Sequence, residues 1–304
     1  MPKNNALTIL VTFILLASVA AWIRPDPAGA AIALKGEVKV EDVYNPNPAE
    51  GDLPLPMPCD LFMVFKAVSL PVTGSVRDYE SFFGLDTQTE NAFLENRHQV
   101  HLGSDLSVAN LPQGLAEIAS RALSQASTDQ IYLIGKYEVT KGQWDAVMGD
   151  GKCAMDSKSA RPIAEISYFQ AESFAERYMA WLIANRPEVL PRYQGRGDSV
   201  GLVRLPTEEE WEYAARGGHE VSTDKIATQD FFDVPRDVDH RQYGLFSAAG
   251  YNNETEPGNI GRWKPNPLGL YDTAGNVSEM IASPFKMIKH KRVHGSAGGF
   301  VSKG

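Results

Sequence analysis

Two carboxylates in a polar turn near the end of the sequence, Asp272 and Glu279, are the residues with the most evident potential for chemistry. They stand on either side of a Gly-Asn pair, with backbone carbonyls between them. Hard oxygen ligands gathered in a tight turn suit calcium. Alternatively, Asp272 only caps the turn and Glu279 pairs with a nearby arginine. The turn therefore predicts either a calcium site or a structural corner.

The cysteines and histidines do not predict a second site of this kind. The sequence contains two cysteines, Cys59 and Cys153, and neither has metal-ligand spacing around it. Whether they pair in a disulfide stays open, because cysteines far apart in sequence fix nothing about geometry. His98 and His101 flank a strand-like stretch and are more typical of surface or packing positions than of a metal site.

Short helices must position this turn, and capping boxes mark where they begin. Thr207 can accept the amide of Glu210 while the Glu210 side chain returns to the Thr207 amide, and Gly217 then ends the helix. Thr140 and Ser167 begin two further helices in the same way. Strands are predicted by apolar runs at residues 61–68, 99–102 and 131–137.

Four segments of the sequence resemble the formylglycine-generating enzyme family, also called the sulfatase-modifying-factor domain. They stand in the family's order: IGKYEVT at 134–140, RPIAEISY at 161–168, RLPTEEEWEYAARGG at 204–218 and PNPLGLYDTAGNVSE at 265–279. The resemblance extends from about residue 61 to the end of the sequence. It implies an α+β fold of the C-type-lectin-like kind, with short helices, small sheets and much irregular structure. We expect long irregular loops over residues 219–259.

The resemblance also implies a ligand set for the polar turn. Members of the family bind a structural calcium there. Matching the motif residue by residue assigns the ligands to the side chains of Asp272 and Glu279 and to the carbonyls of Gly275 and Val277. These four residues are the metal site that we expect.

The family's catalytic site is not expected here. Its enzymes oxidise a substrate cysteine with two copper-binding cysteines that follow a Gly-Gly-Ser-aromatic stretch. Matching Phe300 to that aromatic places Ser302 at the first cysteine and the second beyond Gly304. A hydroxyl is neither ionised at neutral pH nor a soft ligand, so we expect no copper. Ser278 and Met280 also replace both tryptophans of the family's Gly-Asn-x-Trp-Glu-Trp motif. We therefore expect a pseudoenzyme with no catalytic residues.

The beginning of the sequence is typical of an export signal. Lys3 precedes an apolar run at residues 6–23, and small residues at 28–30 suit cleavage. The protein is therefore expected in the periplasm, where an uncleaved run would keep it at the membrane. The predicted domains are a signal peptide or anchor at 1–30, a Pro-rich tether at 31–58, and the enzyme-like domain at 59–304 with an inserted helix near 105–126.

Charge and export together bound the function. A net charge of −9 argues against a nucleic-acid partner. Exported relatives of this kind include regulators of type VI secretion that act upstream of a membrane Ser/Thr kinase. We expect a non-catalytic, calcium-braced periplasmic domain that binds a protein, such as the exported part of that kinase. Two alternatives stay open: a copper-dependent formylglycine-generating oxidase and a calcium-dependent carbohydrate-binding module.

Overall fold

The computed structural model describes residues 39–72, 78–83, 97–149, 153–193, 199–228, 242, 256–289 and 292–304. Of residues 33–34, 285–289 and 292–298 only the backbone is described. The predicted signal or anchor at 1–30 lies outside the described residues. Within them, no helix combines the length and the apolar character needed to cross a bilayer.

The described elements are short helices and small sheets, which confirms the α+β fold class. The helices are α1 Val40–Tyr44, α2 Gln113–Ala122, α3 Lys141–Met148, α4 Tyr168–Asn185, α5 Glu208–Ala215 and α6 Thr223–Thr228. The strands are β1 Ala33–Leu34, β2 Leu53–Pro56, β3 Phe62–Ser69, β4 Tyr79–Phe83, β5 His98–Leu102, β6 Ile131–Gly135, β7 Ala154–Met155, β8 Glu279–Lys289 and β9 Arg292–Lys303.

The strands form four sheets, of which one is central. That sheet is antiparallel with the order β2-β3-β6, and the pairs β1-β7, β4-β5 and β8-β9 complete the set within the described residues. β3 is buried at all but two of its positions, so both of its faces are covered. The apolar run at 61–68 therefore forms the buried strand that the sequence predicts.

Helices α3 and α4 pack together beside the central sheet, and both begin where the sequence predicts. Thr140 and Ser167 each form a complete capping box with the glutamine three residues on. Trp144 of α3 stacks on Phe174 of α4 with ring centroids 5.3 Å apart. The buried hydroxyl of Tyr178 in α4 donates to the carbonyl of Pro56 at 3.0 Å, which ties the longest described helix to β2.

Helix α5 connects the middle of the chain to its last strands. Its predicted capping box is present, with the Thr207 amide donating to the Glu210 carboxylate at 2.8 Å. Gly217 ends the helix at a φ of 101°, in the left-handed region that glycine enters without steric cost. Trp211 packs against Ile281 of β8, so the apolar face of α5 covers the β8-β9 hairpin.

The β8-β9 hairpin is an element that the sequence analysis does not identify. Its strands span 11 and 12 residues. Pro284 lies within β8, and glycines and serines are frequent in β9, all of which are atypical of strands. Irregularities in the register near Met280 and Pro284 accommodate these residues.

The Pro-rich stretch at 31–58 is predicted to be an extended tether, but from residue 40 onwards it is packed into the fold. Val43 and Leu53 are completely buried, and β2 pairs with β3 along its whole length. β2 is an edge strand of its sheet, where proline, which has no N–H to donate, is tolerated. The tether prediction is therefore wrong for these residues, because a Pro-rich edge strand has the composition of a linker.

The remaining predictions concern the middle of the chain. Helix α2 lies inside the region 105–126, directly after Pro112, and buries Ala119 against the residues of β2 and β3. Helix α6 lies within 219–259, where loops are predicted, and most of that region falls outside the described residues.

The two cysteines of the sequence are joined in a disulfide. Cys59 and Cys153 have Cα atoms 5.3 Å apart, and the bond closes a loop of 94 residues. This resolves the alternative that the sequence leaves open. No free thiol remains, since the sequence contains no other cysteine.

A buried lysine just after β6 holds the first described segment against the centre of the fold. Lys136 is 1% exposed, and its Nζ donates to the carbonyl of Asn47 at 2.6 Å and to Asp52 Oδ2 at 2.7 Å. Burial by itself would raise the pKa of Asp52, but hydrogen bonds from Lys136 and Lys66 outweigh it and hold that pKa below its ordinary value. The cluster is therefore a charged anchor inside the protein.

We predict that Lys136→Met lowers the free energy of unfolding by about 3 kcal/mol, because Asp52 and the Asn47 carbonyl lose a charged donor at a buried site and Asp52 keeps only Lys66. Urea unfolding followed by circular dichroism measures the loss. Lys141→Met is the control, since Lys141 pairs with Asp145 in an exposed i,i+4 bridge that contributes less than about 1 kcal/mol. Equal losses in the two variants would contradict the anchoring role.

Candidate functional site

The turn at residues 272–279 is as tight as the sequence predicts. Three of its residues adopt left-handed backbone conformations, with φ of 59° at Asp272, 95° at Gly275 and 67° at Asn276. Glycine enters this region freely, and Asp and Asn do so more readily than other side chains. The Gly-Asn pair therefore serves to reverse the chain between the two predicted carboxylate ligands.

Both predicted carboxylates have an oxygen without a donor. Asp272 is 1% exposed, and its Oδ2 accepts from the amide of Gly261 at 2.7 Å. Its Oδ1 is buried with no hydrogen-bond partner, as is Oε2 of Glu279. A buried acceptor left unsatisfied costs about 1–3 kcal/mol. These two atoms are the kind of ligand that a bound cation would satisfy.

Glu279 also shares a small space with a second predicted ligand. A side-chain atom added at Gly304 would collide with Glu279 Oε2 and lie 3.1 Å from the carbonyl oxygen of Val277. The carboxylate and the carbonyl therefore face the same cradle, which a glycine leaves open. The structure thus brings Val277 and Glu279 together.

A third carboxylate, which the sequence analysis missed, completes the cluster. Glu138 follows β6, is 8% exposed and accepts from Asn276 Nδ2 at 2.6 Å and from the amide of Val277 at 3.1 Å. In the sequence, its segment IGKYEVT is informative only through its resemblance to the family. Nothing in the spacing links it to a turn more than 130 residues later, so its contact with the turn is visible only in three dimensions.

Burial dominates the electrostatics of the cluster. It raises the pKa of Glu138 well above its ordinary value, and the charges of Asp272 and Glu279 add to that increase. It raises the pKa of Asp272 to about 6, although the Gly261 amide opposes the change. It also raises the pKa of Glu279 well above its ordinary value. Three buried carboxylates require protons or a cation.

The chemistry of these residues fits calcium, which prefers carboxylate and carbonyl oxygens. In the described part of the chain, no three His, Cys, Asp or Glu side chains are arranged to hold a metal ion. The predicted calcium ligands differ from such a group, because only two of the four are side chains and the other two are the backbone carbonyls of Gly275 and Val277. A bound calcium would supply positive charge to the cluster, and Asp272 and Glu279 would contribute the unsatisfied oxygens.

An apolar cavity of about 410 Å³ lies beside the turn, between β6, α4, α5 and the start of β8. Ser278 and Met280, which replace the two tryptophans of the family motif, both line it. Trp211 of α5 forms part of the opposite wall. In this protein the smaller side chains of Ser278 and Met280 therefore border an apolar cavity where the family motif has two tryptophan side chains.

The position matched to the family's first catalytic cysteine is Ser302, which carries a hydroxyl. Ser302 is exposed on β9, where it pairs with Met280 and has the same orientation as Phe300 two residues earlier. His290 lies outside the described residues, and only the backbone of His294 is described. No described side chain is thus shown to activate Ser302.

Comparison with known proteins places the chain in a family. Residues 100–304 match the model of the sulfatase-modifying factor enzyme 1-like domain, which is more than half of the chain. The chain belongs to this family. The resemblance on four sequence segments is thereby confirmed, and so is the fold class.

Two curated relatives of this sulfatase-modifying factor domain are named as a chaperone and as a protein kinase. Chaperone protein LppX of Paenibacillus barcinonensis is 28% identical over 173 residues, which are 49% of this chain and 60% of LppX. Serine/threonine-protein kinase pkn1 of Chlamydia caviae is 40% identical over 76 residues, which are 25% of this chain and 10% of the kinase. Each match thus spans only part of the relative.

Solved structures similar to the sulfatase-modifying factor domain include two bacterial proteins. Treponema denticola variable protein 1 is 22% identical, covers 77% of each chain and gives a TM-score of 0.46. PvdO from Pseudomonas aeruginosa is 16% identical, covers 78% of this chain and 76% of its own, and gives a TM-score of 0.45.

We predict that calcium raises the melting temperature of the domain by several degrees. A ligand at about 100 times its Kd stabilises by about 2.7 kcal/mol. Asp272→Asn and Glu279→Gln should abolish the response to calcium, measured by differential scanning fluorimetry after treatment with EGTA. Glu176→Gln, which changes an exposed carboxylate of α4, should keep it. A wild-type melting temperature that calcium leaves unchanged would contradict the site.

Proposed function

We propose that this protein is a non-catalytic member of the sulfatase-modifying factor family that acts as an exported, protein-binding regulatory domain. The observation that carries the proposal is the disulfide between Cys59 and Cys153, the only cysteines of the sequence. It bears on both the chemistry and the compartment.

The disulfide bears on the chemistry because copper in this family requires thiolates. Soft sulfur selects Cu(I), and a cysteine locked in a disulfide has no thiolate to offer. The position matched to the first catalytic cysteine is Ser302, an exposed hydroxyl. These observations support the loss of oxidase activity.

The disulfide bears on the compartment because such bonds persist in oxidising surroundings such as the bacterial periplasm. The export signal predicted at residues 1–30 agrees with this location. Together they support a periplasmic domain, which an uncleaved signal would hold at the membrane.

A protein-binding role is supported by an exposed aromatic patch, which we define as Tyr168, Phe169 and Phe300. Phe169 and Phe300 are 69% and 48% exposed. Tyr168 stacks on Phe300 with ring centroids 3.4 Å apart, and Phe169 meets Phe300 edge-on at 6.2 Å. Contiguous exposed aromatic surface marks interaction sites, and aromatic residues dominate interface energetics. The patch joins the start of α4 to β9, beside Ser302.

The choice of partner rests on the relatives. One relative is described as a Ser/Thr kinase and another as a chaperone, and both descriptions concern action on proteins. Exported members of the family such as the type VI secretion regulator TagR act upstream of a membrane Ser/Thr kinase. We therefore propose that the aromatic patch binds the exported part of such a kinase and promotes its activation.

A copper titration tests the non-catalytic assignment. With the disulfide intact, we expect no stoichiometric Cu(I) binding against a competing chelator and no aldehyde from a cysteine-containing sulfatase-type peptide. The double variant Cys59→Ser with Cys153→Ser controls for copper taken up by reduced cysteines. Tight binding with aldehyde formation in the oxidised protein would instead support the formylglycine-generating oxidase.

A binding measurement tests the aromatic patch. We predict that Phe169→Ala combined with Phe300→Ala weakens binding to the exported domain of the kinase by about 30-fold or more, as expected for residues that dominate an interface. Phe82→Ala, which changes an exposed aromatic of β4, is the control and should leave affinity within about threefold.

Two outcomes of that measurement would count against the proposal. The first is no detectable binding of the wild-type domain to any membrane kinase of this type. The second is binding that the patch variant retains in full. Calcium-dependent binding to a glycan array, without kinase binding, would favour the carbohydrate-binding alternative.

A further inference from the structure

Glu138 contacts the candidate metal turn from a distant part of the sequence. It stands just after β6 in the central part of the fold, whereas its hydrogen-bond partners, Asn276 and Val277, lie between the two predicted carboxylate ligands. Its two oxygens have different donors: Oε2 accepts from Asn276 Nδ2 at 2.6 Å, and Oε1 accepts from the Val277 amide at 3.1 Å. The carboxylate therefore grips the turn at two adjacent residues.

The hydrogen bond from the Val277 amide to Glu138 affects the position of two predicted ligands. The Val277 amide that Glu138 holds belongs to the residue whose carbonyl faces the cradle beside Gly304. Two residues later, Glu279 Oε2 faces the same cradle. Fixing the amide of Val277 therefore holds the peptide unit that directly precedes the one carrying the Val277 carbonyl, and so restricts the backbone that leads to both ligands.

The side chain of Asn276 links Glu138 to a further segment of the chain. Its Nδ2 donates to Glu138 while its Oδ1 accepts from the amide of Gly258 at 2.9 Å. The backbone of Asn276 is left-handed, with a φ of 67°, so the turn depends on contacts that hold this conformation. The chain from β6, the turn and the segment at Gly258 thus meet at one side chain.

We propose that Glu138 is the positioning residue of the metal turn: it aims the Val277 carbonyl and the Glu279 carboxylate at a common cation. It acts through the groups that it holds and is not one of the four predicted ligands. The inference rests on the calcium site proposed above and is independent of the binding partner.

Exchanging the donor and the acceptor between positions 138 and 276 should restore the hydrogen bond that each single substitution removes. Glu138→Gln keeps one acceptor oxygen for two donors, so the introduced NH2 would oppose either the Nδ2 of Asn276 or the Val277 amide. In Asn276→Asp, two carboxylates would face each other. In the double variant, the carboxylate introduced at position 276 can accept from both the side-chain amide introduced at position 138 and the backbone amide of Gly258. The double variant keeps the total charge, and aspartate tolerates the left-handed backbone as asparagine does.

Titration of the metal-free domain with Ca²⁺, and with Tb³⁺ as a luminescent substitute, measures the effect. We expect each single variant to bind both ions about 10- to 100-fold more weakly, as found when groups that orient metal ligands are changed. The double variant should recover to within about threefold of wild type. Glu176→Gln is the matched control and should not differ from wild type.

Hydrogen exchange of the metal-free protein gives a readout that does not depend on a metal. In Glu138→Gln we expect faster exchange of the Val277 amide, or of the Gly258 amide if Asn276 turns its oxygen toward position 138, and restored protection of both amides in the double variant. This separates two kinds of failure. If wild type binds no cation, the calcium site is wrong, and the exchange data alone decide whether Glu138 positions the turn.

Three results would overturn the inference. One is a Glu138→Gln variant that binds Ca²⁺ as tightly as Glu176→Gln and protects both the Val277 and the Gly258 amides as wild type does. Another is a double variant no better than the worse of the two single variants in either measurement. The third is rescue of the melting temperature alone, without recovery of affinity or protection, which would mean that Glu138 is merely structural.

Discussion

The three residues that continue β6, from Lys136 to Glu138, hold an early and a late segment of the chain to the centre of the fold. The ammonium of Lys136 binds the segment around Asn47 and Asp52, and its carbonyl accepts from the Tyr271 amide at 3.0 Å. Glu138 binds the turn that follows Tyr271. One short stretch therefore fixes the positions of segments separated by more than 200 residues, which explains why so irregular a chain can maintain a defined arrangement.

The two charges of this stretch are compensated differently. On the lysine side, Asp52 lies between Lys136 and Lys66, so the described side chains supply both signs of charge. On the other side, Glu138 lies near two further carboxylates, and their mutual repulsion adds to the cost of burial. Buried charges persist only when they are paired or coordinate a metal. The acidic side therefore has the stronger requirement for protons or for a cation from outside the chain.

The sequence predicted the parts of this arrangement that depend on neighbours along the chain. The capping boxes at Thr140, Ser167 and Thr207 are local patterns, and all three helices begin there. The sequence failed where the decisive partner is distant. Strand β2 resembles a linker until its pairing with β3 is known, and the contact of Glu138 with Val277 spans 139 positions. Hydrophobic period and turn composition carry no information about such contacts.

The end of β9 carries Ser302, the position matched to the family's first catalytic cysteine, and ion pairs tie it to α5. Lys303, next to Ser302, pairs with Glu208 at 3.0 Å and with Glu212 at 2.8 Å, which joins the end of β9 to α5. Burial alone would raise the pKa of Glu212, but Lys303 and Arg216 outweigh it and keep the pKa below its ordinary value. These pairs hold the end of β9 three residues after Phe300, whose ring also stacks on Tyr168. Preorganised aromatic surface binds with a smaller loss of side-chain entropy than mobile surface does. A hairpin fastened to α5 in this way is therefore suited to present the aromatic patch that we propose as a recognition surface.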